Sequence, residues 1–176
     1  MSKLVEKKIS SQTVYKGNFL DVKKDNVLLP NGKNSTREWI NHPGAVVIVP
    51  ILPNGKIALI RQFRYAMGSE FIELPAGKID KGETPDECAI RELEEEIGFK
   101  TKNLNFIAMI HPAIGFANEN MSLYLATDLV QTNINRDSDE FLELMPTSLE
   151  HALDLVWSNK ITCLLYTSPS PRDLTA

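Results

Sequence analysis

Residues Gly77–Phe99 read GKIDKGETPDECAIRELEEEIGF, and this stretch decides the reading of the whole chain. Pro85 suits the first turn of a helix, where its missing N–H costs nothing, and Gly98 suits the C-cap. The segment therefore predicts a helix from about Thr84 to Ile97. At about 100° per residue, Ala89, Ile90, Leu93 and Ile97 fall in one sector, expected to face a core. Glu92, Glu95 and Glu96 share the neighbouring sector, at i, i+3 and i+4. From Glu83 to Glu96 there are seven acids and one base, Arg91. Like charges at that spacing destabilise a helix by a few tenths of a kcal/mol per pair. Arg91 relieves part of that repulsion from the flank beside Glu95. Two readings follow: an acidic, solvated face, or an oxygen cluster for a hard divalent cation such as magnesium.

The rest of the composition narrows the choice. A chain of 176 residues is long enough for one domain with a sizeable core. Its net charge of −4, with no basic run, argues against nucleic acid as a partner. An acidic chain acting on a phosphate ester would need cations between the two, which favours the second reading. No apolar run reaches the ~18 residues of a membrane span. The N-terminus MSKLVEKKIS lacks the apolar stretch of a signal peptide, so a cytoplasmic protein without a membrane partner is expected. Cys88 and Cys163 make neither a disulfide framework nor a zinc site, and Cys88 reads as a small apolar side chain.

Upstream, turn signals at Lys16-Gly17-Asn18 and Pro30-Asn31-Gly32 separate antiparallel strands expected around Val14–Tyr15, Phe19–Leu29 and Ser35–His42. Gly44 opens AVVIVPIL, typical of a buried strand, and Pro53-Asn54-Gly55 turns it into a returning strand, Ile57–Tyr65. A short strand at Phe71–Leu74 leads into Pro75-Ala76-Gly77. Downstream, strands are expected at Leu104–Ile110, Ser122–Asp128 and Glu140–Met145. A helix from Ser148 to about Asn159 follows, with Thr147 and Glu150 as its capping box. The sum is a mixed α/β domain with few helices, without alternating βαβ units.

The offsets within the opening stretch identify a family. Gly77, five residues, Glu83, seven residues, Arg91-Glu92-Leu93, one residue, Glu95-Glu96, one residue, Gly98-Phe99 resembles the Nudix box at every specified position. The resemblance implies an α/β/α sandwich with a loop–helix–loop beside a mixed sheet. It implies Mg2+, with Mn2+ able to stand in, held by Glu92 and Glu96 with Glu95 joining them. Glu83 supports the cluster, and the Ala76 carbonyl completes one ion's shell. Arg91 is expected to orient a box carboxylate. The implied reaction is hydrolysis of a nucleoside diphosphate linked to another group. A base must take a proton from the attacking water, and in relatives it can be a glutamate on a later loop. Asp137, Asp139, Glu140 and Glu143 lie in such a segment, with Glu140 favoured.

Outside the box, FIELPAGKID, IRQFRYA, the strands ending in Arg37-Glu38-Trp39 and His111–Glu119 (HPAIGFANE) resemble the ADP-ribose pyrophosphatase branch. Pro112 matches that branch's downstream proline, two residues early. The branch implies ADP-ribose as substrate, yielding AMP and ribose 5-phosphate, and a homodimer built by exchange of the N-terminal strands. Candidate substrate contacts are Arg37, Arg61, Arg64 and Glu73, because arginine's planar fork suits phosphate. Phe19 and Phe63 are candidates for stacking on adenine, with core packing as the alternative. His42, His111 and His151 read as structural. The competing functions are another nucleotide-sugar or dinucleotide diphosphatase and, from a different class, a non-catalytic ligand sensor. The expected organisation is an N-terminal strand element over residues 1–43, a catalytic domain over 44–162, and a tail over 163–176. The tail sequence CLLYTSPSPRD, Cys163–Asp173, resembles an in-frame translation of a transposase adapter used for sequencing libraries.

Overall fold

A computed structural model describes residues 3–133 and 141–163. The expected acids Asp137, Asp139 and Glu140, and the tail beyond Cys163, lie outside the described residues. The fold is mixed α/β with few helices, as the pattern of apolar runs implies. It divides into two compact units. One takes the chain up to Gly44 together with His111–Met121, and the other takes Ala45–Ile110 and the described residues from Ser122 onward.

The N-terminal unit is an antiparallel meander of β1 (Lys7–Lys16), β2 (Asp21–Leu28) and β3 (Asn34–Ile40). β1 begins seven residues before the expected Val14, and every residue in it is exposed. A strand with no buried face carries no apolar alternation, so its polar first half, KKISSQ, gives no strand signal. On β2, Asp21 is nearly buried and is met by Lys23 Nζ at 2.9 Å and Lys16 Nζ at 3.2 Å. Asn41 Nδ2 donates to the same carboxylate at 3.1 Å. Lys23 foremost, with Asn41 and Lys16, holds the Asp21 carboxyl down at about 2. A lowered carboxyl pKa stabilises the fold above the unfolded value near 4, and that stabilisation is lost as pH falls from about 4 through 2. Between pH 5 and pH 3, Asp21→Asn should therefore lose less stability than the parent chain in urea unfolding.

The second unit contains β4 (Ala45–Pro50), β5 (Ile57–Arg64), β6 (Ser69–Glu73), β7 (Ala76–Lys78), β8 (Phe99–Ile110), β9 (Met121–Gln131) and β10 (Leu142–Thr147). Among the described residues these form two sheets, ordered β10-β5-β6 and β7-β4-β9-β8. Val46, Ile48, Ala58 and Ile60 are fully buried and join Leu93 and Ile97 of α1 (Pro85–Ile97) in one core. The tight turn falls at Pro53-Asn54-Gly55, where Gly55 has φ +78° and its N–H donates to the Leu52 carbonyl. β8 starts five residues before the expected Leu104, because its opening FKTKN is largely exposed and polar. β10 is displaced toward the C-terminus of its expected span. α2 (Leu149–Trp157) is capped by Ser148, whose Oγ accepts from the His151 N–H. Thr147, the expected cap, ends β10 instead and donates its hydroxyl to the Met145 carbonyl. Among the described residues no helix is long and apolar enough to cross a membrane.

Candidate active site

α1 is fixed at both ends by local chemistry. Thr84 accepts from the Glu87 N–H while the Glu87 carboxylate accepts from the Thr84 N–H, a reciprocal capping box legible in Thr84-x-x-Glu87 but absent from the sequence reading. Gly98 ends the helix in the left-handed region, φ +71°, and its N–H returns to the Glu94 carbonyl. A third anchor comes from β9. Tyr124, 4% exposed, donates its hydroxyl to Asp86 in the first turn at 2.5 Å. Tyr124→Phe should cost about 2 kcal/mol in urea unfolding, the scale of a hydrogen bond to a charged group.

The helix packs on β4, β7 and β8, with its buried arc turned toward the glutamates relative to the expected one. Ile90 is 40% exposed, whereas Cys88, Glu92 and Glu96 are buried. Burying a carboxylate is costly unless it is paired, so its partners matter. Glu96 Oε2 accepts the Ala76 N–H at 3.0 Å, which ties the helix to β7. Glu92 Oε1 accepts Arg91 Nη1 at 2.7 Å, and the same nitrogen reaches Glu95 Oε2 at 2.8 Å. Arg91 Nε and Nη2 take the two oxygens of Glu83 at 2.8 and 3.0 Å. That fork, with the Asp80 N–H on the same carboxylate, holds the Glu83 carboxyl down at about 2. Cys88 Sγ lies 3.3 Å from the Lys78 carbonyl oxygen, and burial pushes its thiol up to about 12, which leaves it unreactive.

Glycine at position 77 is required by the approach of Glu92. A Cβ there would lie 1.7 Å from Glu92 Oε1 and 1.9 Å from its Cδ. The loop backbone and the helix carboxylate thus touch only because no side chain intervenes.

Three carboxylates, Glu83, Glu92 and Glu95, gather around a single guanidinium, and Glu96, one turn along from Glu92, is held by the Ala76 N–H. Among the described residues no three acidic, histidine or cysteine side chains already converge as an ion cage. The donor set nonetheless fits a hard divalent cation: all oxygen, excess negative charge, and two members largely withdrawn from water.

The remaining candidates separate. Arg64 and Arg61 lie three apart on β5, so they point to opposite faces of the sheet. Arg64 shares the face of the fully buried Ile60 and grips Glu73 through Nε and Nη2, both at 2.7 Å. Its pKa is raised by Glu73 first, and the charge of Glu96 adds to that. Arg61 pairs instead with Glu143 on β10 and Glu70 on β6, beside the exposed Phe63. Arg37 lies on β3 of the N-terminal unit and pairs with Glu6. There Phe19 meets the His42 ring edge-on, and His42 Nδ1 accepts the Gly44 N–H.

Loop, capped helix and buried glutamates on a mixed α/β fold are the features of a hydrolase that the comparisons with known proteins identify. The chain belongs to the Nudix family of hydrolases: the NUDIX domain matches residues 41–163 and the nucleoside diphosphate sugar hydrolase N-terminal domain matches residues 6–40. It is 42% identical over 163 residues to an ADP-ribose pyrophosphatase of Bacillus subtilis, covering 92% of this chain and 88% of the relative. It is 37% identical to a methanol dehydrogenase activator of Bacillus methanolicus, covering 92% and 89%. A crystal structure of an ADP compounds hydrolase superposes with a TM-score of 0.79 at 28% identity, covering 89% of this chain and 85% of the other.

Proposed function

We propose that this enzyme hydrolyses ADP-ribose to AMP and ribose 5-phosphate with Mg2+, Mn2+ serving in its place. The observation that carries this reading is the partly buried set of glutamates on α1 and its loop, three of them held by one arginine, in a chain 42% identical to an ADP-ribose pyrophosphatase. Glu92, Glu95, Glu96 and the Ala76 carbonyl would hold the cations. Bound cations neutralise charge on the diphosphate oxygens and make a water nucleophilic at neutral pH. Glu83 acts through Arg91, which it anchors beside Glu92 and Glu95. Glu140 accepts the proton of the water attacking phosphorus, on the grounds of its place in an acidic segment beyond the box. Arg64, held by Glu73, offers its charge to the diphosphate from the side of Glu96. Arg37 and Arg61 are secondary candidates, and Arg61 is the weaker because it points to the face opposite Arg64.

The same reading carries a cytoplasmic homodimer. Ile9, Val14 and Tyr15 on β1 and Phe106, Ile107 and Met109 on β8 leave large apolar side chains exposed, as surfaces that associate do. Light scattering at micromolar concentration reads the assembly directly. For the reaction, the test is a panel of ADP-ribose, sugar nucleotides, dinucleotides and nucleoside triphosphates with Mg2+, followed by product identification. AMP and ribose 5-phosphate from ADP-ribose, at the highest kcat/KM, is the expected result. Faster cleavage of another diphosphate would replace the substrate and keep the chemistry. No turnover of any would favour a ligand-sensing protein.

A further inference from the structure

All three guanidinium nitrogens of Arg91 reach the acidic cluster, but its two arms hold different members of it. The Nε/Nη2 edge makes a two-point fork on Glu83, and Nη2 also reaches the Lys78 carbonyl at 3.2 Å. Glu83 lies in the loop before the helix and Lys78 ends β7, while Nη2 also reaches Cys88 Sγ at 3.4 Å, and the Asp80 N–H fixes Glu83 further. The Nη1 arm is a one-atom bridge between Glu92 and Glu95, on the helix itself. A unit positive charge therefore already sits between two carboxylates that the proposed function gives to a divalent cation.

We propose that Arg91 is a resident counter-cation whose Nη1 arm is exchanged for the divalent ion while its Glu83 arm stays in place. The proposal rests on reading Glu92 and Glu95 as metal ligands. Without the bridge, Glu92 and Glu95 would repel each other beside the partly buried Glu83, so the guanidinium stabilises the metal-free fold. The same charge, seated on the two carboxylates an incoming cation would use, opposes its binding. Arg91 thus moves metal-free stability and metal affinity in opposite directions. An arginine that merely aims the carboxylates would move both in the same direction.

The test needs no turnover. Mn2+ affinity is measured by electron paramagnetic resonance for the parent chain and for Arg91→Gln, with metal-free thermal midpoints alongside. The variant should bind Mn2+ about tenfold more tightly while its metal-free midpoint falls. If the variant does not fold, side-chain 15N NMR of the parent chain carries the test. There the Arg91 Nη1 protons should exchange slowly without metal and lose protection at saturating Mg2+, while Nε–H keeps it. Weaker Mn2+ binding by the variant, or an Nη1 signal indifferent to Mg2+, overturns the proposal. A parent chain that binds no Mn2+ overturns the ligand reading beneath it as well, so the two failures are told apart.

Discussion

Glu96→Gln is expected to lower kcat on ADP-ribose by on the order of a thousandfold while the protein stays folded. Glu96 is 4% exposed, and its Oε2 accepts the Ala76 N–H. Glutamine keeps an oxygen for that bond, so α1 stays tied to β7. What disappears is one negative charge in a cluster assigned to divalent cations. Such cations contribute several kcal/mol of charge stabilisation, and each 1.4 kcal/mol is about a factor of ten in rate. Because the loss falls on the reaction more than on substrate binding, KM for ADP-ribose should change far less than kcat. Steady-state kinetics with a thermal melt read both. An unfolded variant would mean that the charge is structural, and a loss of tenfold or less would remove Glu96 from the centre of the chemistry.

Gly77→Ala should damage both stability and rate. The new Cβ would meet Glu92 Oε1 at 1.7 Å, so either the carboxylate or the β7 backbone must move. Moving Glu92 breaks its bond to Arg91 Nη1, and moving β7 pulls the Ala76 N–H from Glu96. Overpacking of this kind costs about 1–3 kcal/mol. A misplacement of ~1 Å in a catalytic group costs about a hundredfold in rate. The expected result is a lower thermal midpoint together with a kcat reduced about a hundredfold. Gly55→Ala is the control for glycine loss as such. Its φ of +78° makes alanine strained there, but nothing lies within 4 Å of the added carbon. That variant should lose stability and keep its rate.

α1 was legible because Pro85 and Gly98 punctuate it and Leu93 and Ile97 repeat at helical spacing. Its buried arc departs from the expected one at Ile90, and Glu92 and Glu96 are buried where hydrophobicity alone gives no warning. The partners that make burial of those glutamates tolerable, Arg91 and the Ala76 N–H, include one twenty residues away, and only the folded chain joins them. β1 shows the opposite limit, since an exposed strand has no face for a periodicity to mark. The separation of Arg61 from Arg64 was legible in principle, because residues three apart on a strand point opposite ways. The pairing of Arg64 with Glu73 was not, because it depends on how β5 and β6 come into register. Gly77 was visible as part of a spacing, but its reason, the pressing of Glu92 against the loop, exists only in three dimensions.

The most direct measurement titrates Mg2+ or Mn2+ into the protein in the presence of a non-hydrolysable ADP-ribose analogue, by calorimetry, for the parent chain and Glu96→Gln. Cation and analogue should each tighten the other's binding in the parent chain, with that coupling lost in the variant. Analogue binding that ignores the cation, or a coupling that survives the substitution, would contradict the assignment of these glutamates as the grip on a metal-bound diphosphate.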